Sequence, residues 1–327
     1  MTEIPVAPIV ETRGLVKRYD GELAVAGIDL VIGPGEIFGL VGPNGAGKTT
    51  TMKILATLLA PTAGEAQVCG IDVTDDPIEV RRRIGYMPDF YGVYDDLRVW
   101  EYLDFFARCY SVPPARRAGM IGELLEIVGL GDKRDSYVEA LSRGMRQRLC
   151  LAHTLVHDPQ LLILDEPASG LDPRARVEMR EILRELRGMG KTILISSHIL
   201  PELAELCTSV GIIDRGRLLR SGRIEEIEQS LRATALLRIE LLSDPAVAIE
   251  WLGTDHRVGD VLEVSSGGGV TRLDVPFDGT ADEQAAFLRA MITAGHVVSG
   301  FSQTTSDLEE IFLKVTGQGG NDEETAA

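Results

Sequence analysis

The nine residues GPNGAGKTT, Gly42 to Thr50, constrain this chain more than any other stretch. They follow the apolar run EIFGLVG (36–42) and lead into the helical spacing of TTMKILATLL. Gly42, four residues, then Gly47, Lys48 and Thr49 satisfy the eight-position P-loop pattern, with a strand before and a helix after. The glycines let successive backbone N–H groups face one anion, a geometry that a β-carbon would obstruct. The helix that follows adds the partial positive charge of its N-terminus. Gly42, Pro43, Asn44, Gly45, Ala46, Gly47, Lys48, Thr49 and Thr50 are therefore candidates to cradle a triphosphate. In that arrangement Lys48 bridges the β- and γ-phosphates, and the Thr49 hydroxyl ligates Mg2+.

A second apolar run, QLLILDE (160–166), ends on two carboxylates. Beside a P-loop, Asp165 is the candidate to hold Mg2+ and Glu166 the candidate general base for the attacking water. A third run, KTILISS (191–197), leads to His198. Such runs alternate with amphipathic stretches over the first ~225 residues, which is the α/β pattern with a largely parallel sheet. Residues 97–157 differ: VWEYLDFFARCY and MIGELLEIVGL space their apolar residues three and four apart. That spacing predicts a helical subdomain inserted between parts of the sheet. After the linker RIEEIEQSLRA, residues 236–317 carry strand-like and helix-like runs of their own, a small α+β domain. A last helix is expected from Ser306 to Gly317, and a disordered tail over 318–327. The expected fold class is an α/β P-loop NTPase core (1–225) with a helical insert and a small C-terminal α+β domain.

Charge narrows the function. The chain carries a formal −17, of which −11 falls between Ile227 and Ala327, so nucleic acid is not an expected partner. The four cysteines lie far apart with no C-x-x-C pair, as in a reduced, cytoplasmic protein. The start MTEIPVAPIVETRG lacks the basic and apolar regions of a signal peptide. Nor does any uninterrupted apolar run approach the ~20 residues needed to span a bilayer.

With these motifs in order, residues 9–223 resemble an ABC-type ATPase. In that family the helix start LSGGQ is the signature motif, which stands here as Leu141, Ser142, Arg143, Gly144 and Met145. A hydroxyl at the helix start, an accessible glycine N–H and the helix dipole all suit an anion. The resemblance implies that this anion is the γ-phosphate held by a second subunit, contacted by Ser142 and Gly144. It also implies that Tyr19 stacks on adenine, that Asp172 of ASGLD reaches across a dimer interface, and that His198 contacts the γ-phosphate. Arg146 and Arg148 are read as charges on the solvated side of the signature helix. Two motifs depart from the family pattern. Arg143 and Met145 replace a glycine and a glutamine of the signature, and Asp89 stands where a glutamine is usual, as a candidate Mg2+ ligand.

The ending SDLEEIFLKVTG resembles subunits of the exporter branch that moves drugs, lipids and polysaccharides. The resemblance therefore implies the ATP-hydrolysing subunit of a membrane exporter, with ATP and Mg2+ as cofactors, peripheral on the inner face of the cell membrane. One P-loop and one signature imply pairing with a second copy or a paralogue, and the spans imply a separate transmembrane permease. The alternatives are a soluble, ATP-switched regulatory protein without a transport partner, and a nucleotide-binding scaffold with negligible hydrolysis.

Overall fold

The P-loop and the carboxylate pair lie far apart in the chain, and the order of strands in the sheet is what brings them together. The computed structural model describes residues 7–89, 92–227, 235–259, 261, 263–267 and 270–304. The chain divides into two compact units, one running to Ile224 and the other beginning at Glu225.

In the first unit a six-stranded sheet carries β3 (Ile37–Val41), β6 (Ile84–Met87), β7 (Leu161–Leu164), β8 (Thr192–Ser197), β9 (Ser209–Asp214) and β10 (Arg217–Arg223) in the order β10-β9-β3-β8-β7-β6. All neighbours are parallel except the β9–β10 hairpin at one edge. Every residue of β3, β7 and β8 is buried, as strands covered on both faces require. Three helices cross over this sheet: α1 (Lys48–Leu55), α6 (Pro173–Gly188) and α7 (Leu200–Ala204). The stripe Met179, Ile182, Leu183 and Leu186 is the buried face of α6.

The expected parallel sheet has an antiparallel companion that the sequence reading does not anticipate. Strands β1 (Val10–Tyr19), β2 (Glu22–Ile32), β4 (Ala63–Val68) and β5 (Ile71–Asp72) form it in the order β2-β1-β4-β5. One core joins the two sheets, with Leu15, Val25 and Ile28 packed in the same cluster as Ile54 and Leu55 of α1 and Ile163 of β7. The strand alternation in β1 and β2 is interrupted by register shifts, which blurs the period of two. The short helix α2 (Pro77–Arg83) is capped by Asp76. The helical insert contains α3 (Val99–Cys109), α4 (Pro114–Ile127) and α5 (Arg143–Thr154).

The second unit has the element order β11 (Ala235–Leu241), α8 (Pro245–Leu252), β12 (Glu263–Gly267), β13 (Val270–Phe277), α9 (Ala281–Thr293) and β14 (Val298–Thr304). Its antiparallel sheet runs β12-β13-β11-β14, the split β-α-β-β-α-β arrangement. Leu237, Ile239, Leu273, Val275 and Phe277 point at Phe287 and Met291 of α9 in a core of its own. The helix expected at Ser306–Gly317 and the tail at 318–327 lie outside the described residues.

Candidate nucleotide site

The loop from Gly42 to Gly47 is shaped by close backbone approach. A β-carbon at Gly42 would stand 2.2 Å from the Ile213 carbonyl oxygen, and one at Gly47 would stand 2.4 Å from that of Ala24. Gly47 also has φ 105°, in the left-handed region that favours glycine. Gly216 N–H donates to the Ala46 carbonyl and Ala26 N–H to that of Gly216, which ties the loop to β2. The result is a cavity of about 290 Å³ lined by residues 44–50 together with Ala24, Asp89, Glu166, Ser169 and His198. Asn44, Gly45, Ala46, Gly47, Lys48, Thr49, Thr50, Asp89, Glu166 and His198 thus meet at one place.

Lys48 begins α1 and is buried. Its ammonium donates to the carbonyls of Gly42 at 2.6 Å and Pro43 at 3.1 Å, and lies 3.7 Å from Glu166 Oε1. Burial lowers its pKa, while Glu166, Asp165 and Asp89 oppose that shift. Burial likewise raises the pKa of Glu166, opposed by the hydrogen bond from His198 and by the Lys48 charge. His198 Nδ1 lies 3.0 Å from Glu166 Oε2. Glu166 itself has φ 50°, a strained conformation for a residue with a β-carbon. A carboxylate made more basic by burial, held between a lysine and a histidine beside a phosphate-sized cradle, can take a proton from water.

Asp165 is 1% exposed and is not part of the cavity lining. Its Oδ1 accepts from Ser196 Oγ at 2.6 Å, and that hydroxyl in turn accepts from the Glu166 N–H at 2.9 Å. Ser196 therefore ties the Asp165 carboxylate to the Glu166 backbone. The sequence offers only a faint signal for it, two serines closing an apolar strand. Asp165 Oδ2 and the Tyr86 hydroxyl are buried without a hydrogen-bond partner among the described residues. The orphaned Asp165 oxygen and the Thr49 and Asp89 side chains are oxygen groups of the hard kind that suits Mg2+. No group of three or more potential metal-ligating His, Cys, Asp or Glu side chains occurs among the described residues.

Four expected site residues stand elsewhere. Tyr19 ends β1, 44% exposed, with Lys17 Nζ 5.3 Å from its ring centroid. Ser142 caps α5 by accepting from Met145 N–H at 3.3 Å, and Gly144 lies in the first turn of that helix. Asp172 caps α6 by accepting from Ala175 N–H at 2.9 Å. None of these four lines the cavity.

The reading of Arg146 and Arg148 as solvated helix charges is corrected. Arg146 donates to the carbonyls of Leu141 and Glu139, and Arg148 to that of Val128. Arg148 also lies 3.4 Å from Glu178 of α6. Both tie α5 to neighbouring backbone carbonyls. Gln147, buried and not singled out in the sequence, donates its amide to the Pro167 carbonyl next to Glu166.

A phosphate loop at the tip of a parallel sheet, with a basic carboxylate at the next strand but one, defines a P-loop nucleoside triphosphatase. The ABC transporter family matches residues 25–169. The chain is 38% identical over 325 residues to the daunorubicin/doxorubicin resistance ATP-binding protein DrrA of Streptomyces peucetius, covering 97% of this chain and 94% of that protein. It is 36% identical over 313 residues to the Nod factor export ATP-binding protein I of Ralstonia nicotianae, covering 95% and 94%. A solved ATP-binding subunit of an ABC transporter superposes with a TM-score of 0.62 at 30% identity, covering 68% of this chain and 93% of that one. The chain belongs to the ABC transporter family, as an ATP-binding and ATP-hydrolysing subunit.

Proposed function

We propose that this chain energises a membrane exporter by closing on ATP with a second ATPase chain and opening on hydrolysis. The observation that carries the reading is that the phosphate cavity is lined by the P-loop, Asp89, Glu166 and His198 but by no described residue of α5. The signature residues Ser142 and Gly144 stand at the start of a helix with their own anion-binding character, and a second copy or a paralogue supplies the phosphate they face. Asp172 meets the partner across the same interface, and Tyr19 stacks on the adenine.

Within each site Lys48 and the backbone of residues 42–49 hold the β- and γ-phosphates. Mg2+ would be held by Thr49, Asp165 and Asp89, and when bound it neutralises phosphate charge. Glu166 accepts the proton of the attacking water, and His198 holds the carboxylate in place while contacting the γ-phosphate. No helix among the described residues is long and apolar enough to cross a membrane. A separate transmembrane permease supplies the spans and the pathway, and this chain docks on it at the inner face of the cell membrane. Export is supported by what the relatives are named for, drug resistance in one and Nod factor export in the other.

The test is Glu166→Gln, which keeps the site's shape and removes the base. Turnover should fall by at least about 100-fold with ATP affinity retained, and a dimer should accumulate in millimolar ATP on size exclusion. A Glu166→Gln chain that binds ATP tightly and stays monomeric sinks the two-chain reading. Copurification with a multi-span protein separates an exporter subunit from a soluble ATP-switched regulator.

A further inference from the structure

Two side chains cross from α5 to the loop that carries Glu166. Gln147 holds the Pro167 carbonyl, and Arg143 Nη2 donates to the Ser169 carbonyl at 3.1 Å. The second contact has a steric counterpart in the loop. Gly170 has φ 66°, and a β-carbon there would stand 2.3 to 2.5 Å from three atoms of the Arg143 guanidinium. The arginine therefore rests directly on the glycine. Behind it α5 also touches α6, which follows the loop, since a β-carbon at Gly144 would meet the Ala175 methyl at 3.1 Å. The loop itself is tight. Ser169 N–H donates to the Glu166 carbonyl at 3.0 Å, and Leu171 N–H donates to that of Ala168 at 3.3 Å. A shift of the Ser169 peptide is thus passed to Glu166 within one turn.

We propose that Arg143 is a positioning residue that latches the start of α5 to the Ser169–Gly170 peptide, so that an anion arriving at α5 sets the base of the chain's own site. The inference rests on the two-chain reading above, in which the phosphate at α5 belongs to the partner's nucleotide. The physical argument is charge and geometry together. The guanidinium is a permanent cation with five donors in a fixed fork, and it stands at the helix start where a γ-phosphate arrives. An exposed arginine holding one carbonyl would ordinarily contribute little. Here it is seated on the one left-handed glycine of the loop, and that loop ends in the strained Glu166. Linking signature to base in this way makes hydrolysis at one site depend on occupancy of the other.

The latch can be broken from both sides in the full-length chain. Arg143→Ala removes the guanidinium. Gly170→Ala displaces it, because the clash is with the end of a flexible side chain and not with backbone. ATP affinity, read with a fluorescent ATP analogue, should stay within about twofold for each variant. Turnover should fall about tenfold in each, as a slight misplacement of a catalytic group does, and the Hill coefficient for ATP should drop towards one. The double variant should be no worse than the worse single variant, and Arg143→Lys, lacking the fork, should recover only part of the loss.

Wild-type turnover and cooperativity in Arg143→Ala would overturn the latch, as would losses that multiply in the double variant. Thermal melting of Gly170→Ala checks that it folds, and Arg143→Ala decides the matter if it does not. A wild-type chain that hydrolyses ATP without cooperativity also overturns the latch. A Glu166→Gln chain that stays monomeric in ATP overturns the two-chain reading instead, and this inference with it.

Discussion

Asp89 is the residue at which this chain departs most plainly inside its own cavity. It lines the phosphate site with Glu166 and His198, and its charge acts on Lys48. A carboxylate binds Mg2+ more strongly than an amide does, and it adds a negative charge to a site that already holds Asp165 and Glu166. Asp89→Asn should therefore raise the Mg2+ concentration for half-maximal ATPase activity by roughly three- to tenfold, with Asp89→Gln retaining substantial activity. The check is a Mg2+ titration of ATP hydrolysis in the presence of the membrane partner. An unchanged Mg2+ requirement and unchanged turnover in Asp89→Ala would reduce the residue to a turn former after Pro88. Lys48 and Glu166 show the same logic from the other direction. Burial pushes each toward its neutral form, and the charge of the other opposes that push.

At the scale of elements, α5 does more than present a helix start. Its last turn carries His153, stacked on Phe106 of α3 at 4.3 Å between centroids, with Nδ1 3.3 Å from the Tyr102 hydroxyl. Burial first, and the neighbouring His157 second, push the His153 pKa down to about 4. The folded value lies below the unfolded one, so between them the unfolded chain binds more protons. The stability tied to a neutral His153 is fully present above about pH 6.5. It is lost as pH falls through about 4, on the order of 3 kcal/mol in total. Urea denaturation at about pH 7 and about pH 5 should show this slope, and His153→Leu should flatten it. Burial also lowers the pKa of His157, so part of the slope remains in that variant. A His153→Leu protein with the wild-type pH dependence would show that other groups set the acid limit.

Over the whole molecule, each unit has its own sheet and its own buried cluster, joined by a chain that leaves the first unit at Ile224. The second unit holds paired charges on its sheet, with Arg238 bidentate to Asp274 at 2.9 and 2.6 Å and Arg272 on Glu240 at 2.9 Å. None of the residues lining the phosphate cavity comes from it. Truncation after Arg232 should accordingly leave nucleotide affinity within about threefold, because an independent core carries the P-loop. Self-association or coupling to the permease should weaken, since the acidic module is where such regulation would reside. A truncated chain that folds by circular dichroism yet binds no nucleotide would refute this division of labour.

The sequence by itself determined what is local. A strand, a glycine loop and a helix start must follow one another at Ile37–Leu55, because the φ values of Gly45 and Gly47 and the apolar run before them leave few other conformations. The carboxylates of QLLILDE and the histidine after TILISS were legible for the same reason, each as the polar end of a buried strand. Only the tertiary structure decided which ends meet. Strand β8 lies between β3 and β7, and that order alone brings Ser196 onto Asp165 across 31 residues of chain. The same holds for Arg143 on Gly170, for Arg146 and Arg148 on backbone carbonyls, and for the antiparallel sheet of β1, β2, β4 and β5. Periodicity reports which face of an element is buried; it carries no information on which neighbour buries it, because that is settled by the packing of the assembled chain.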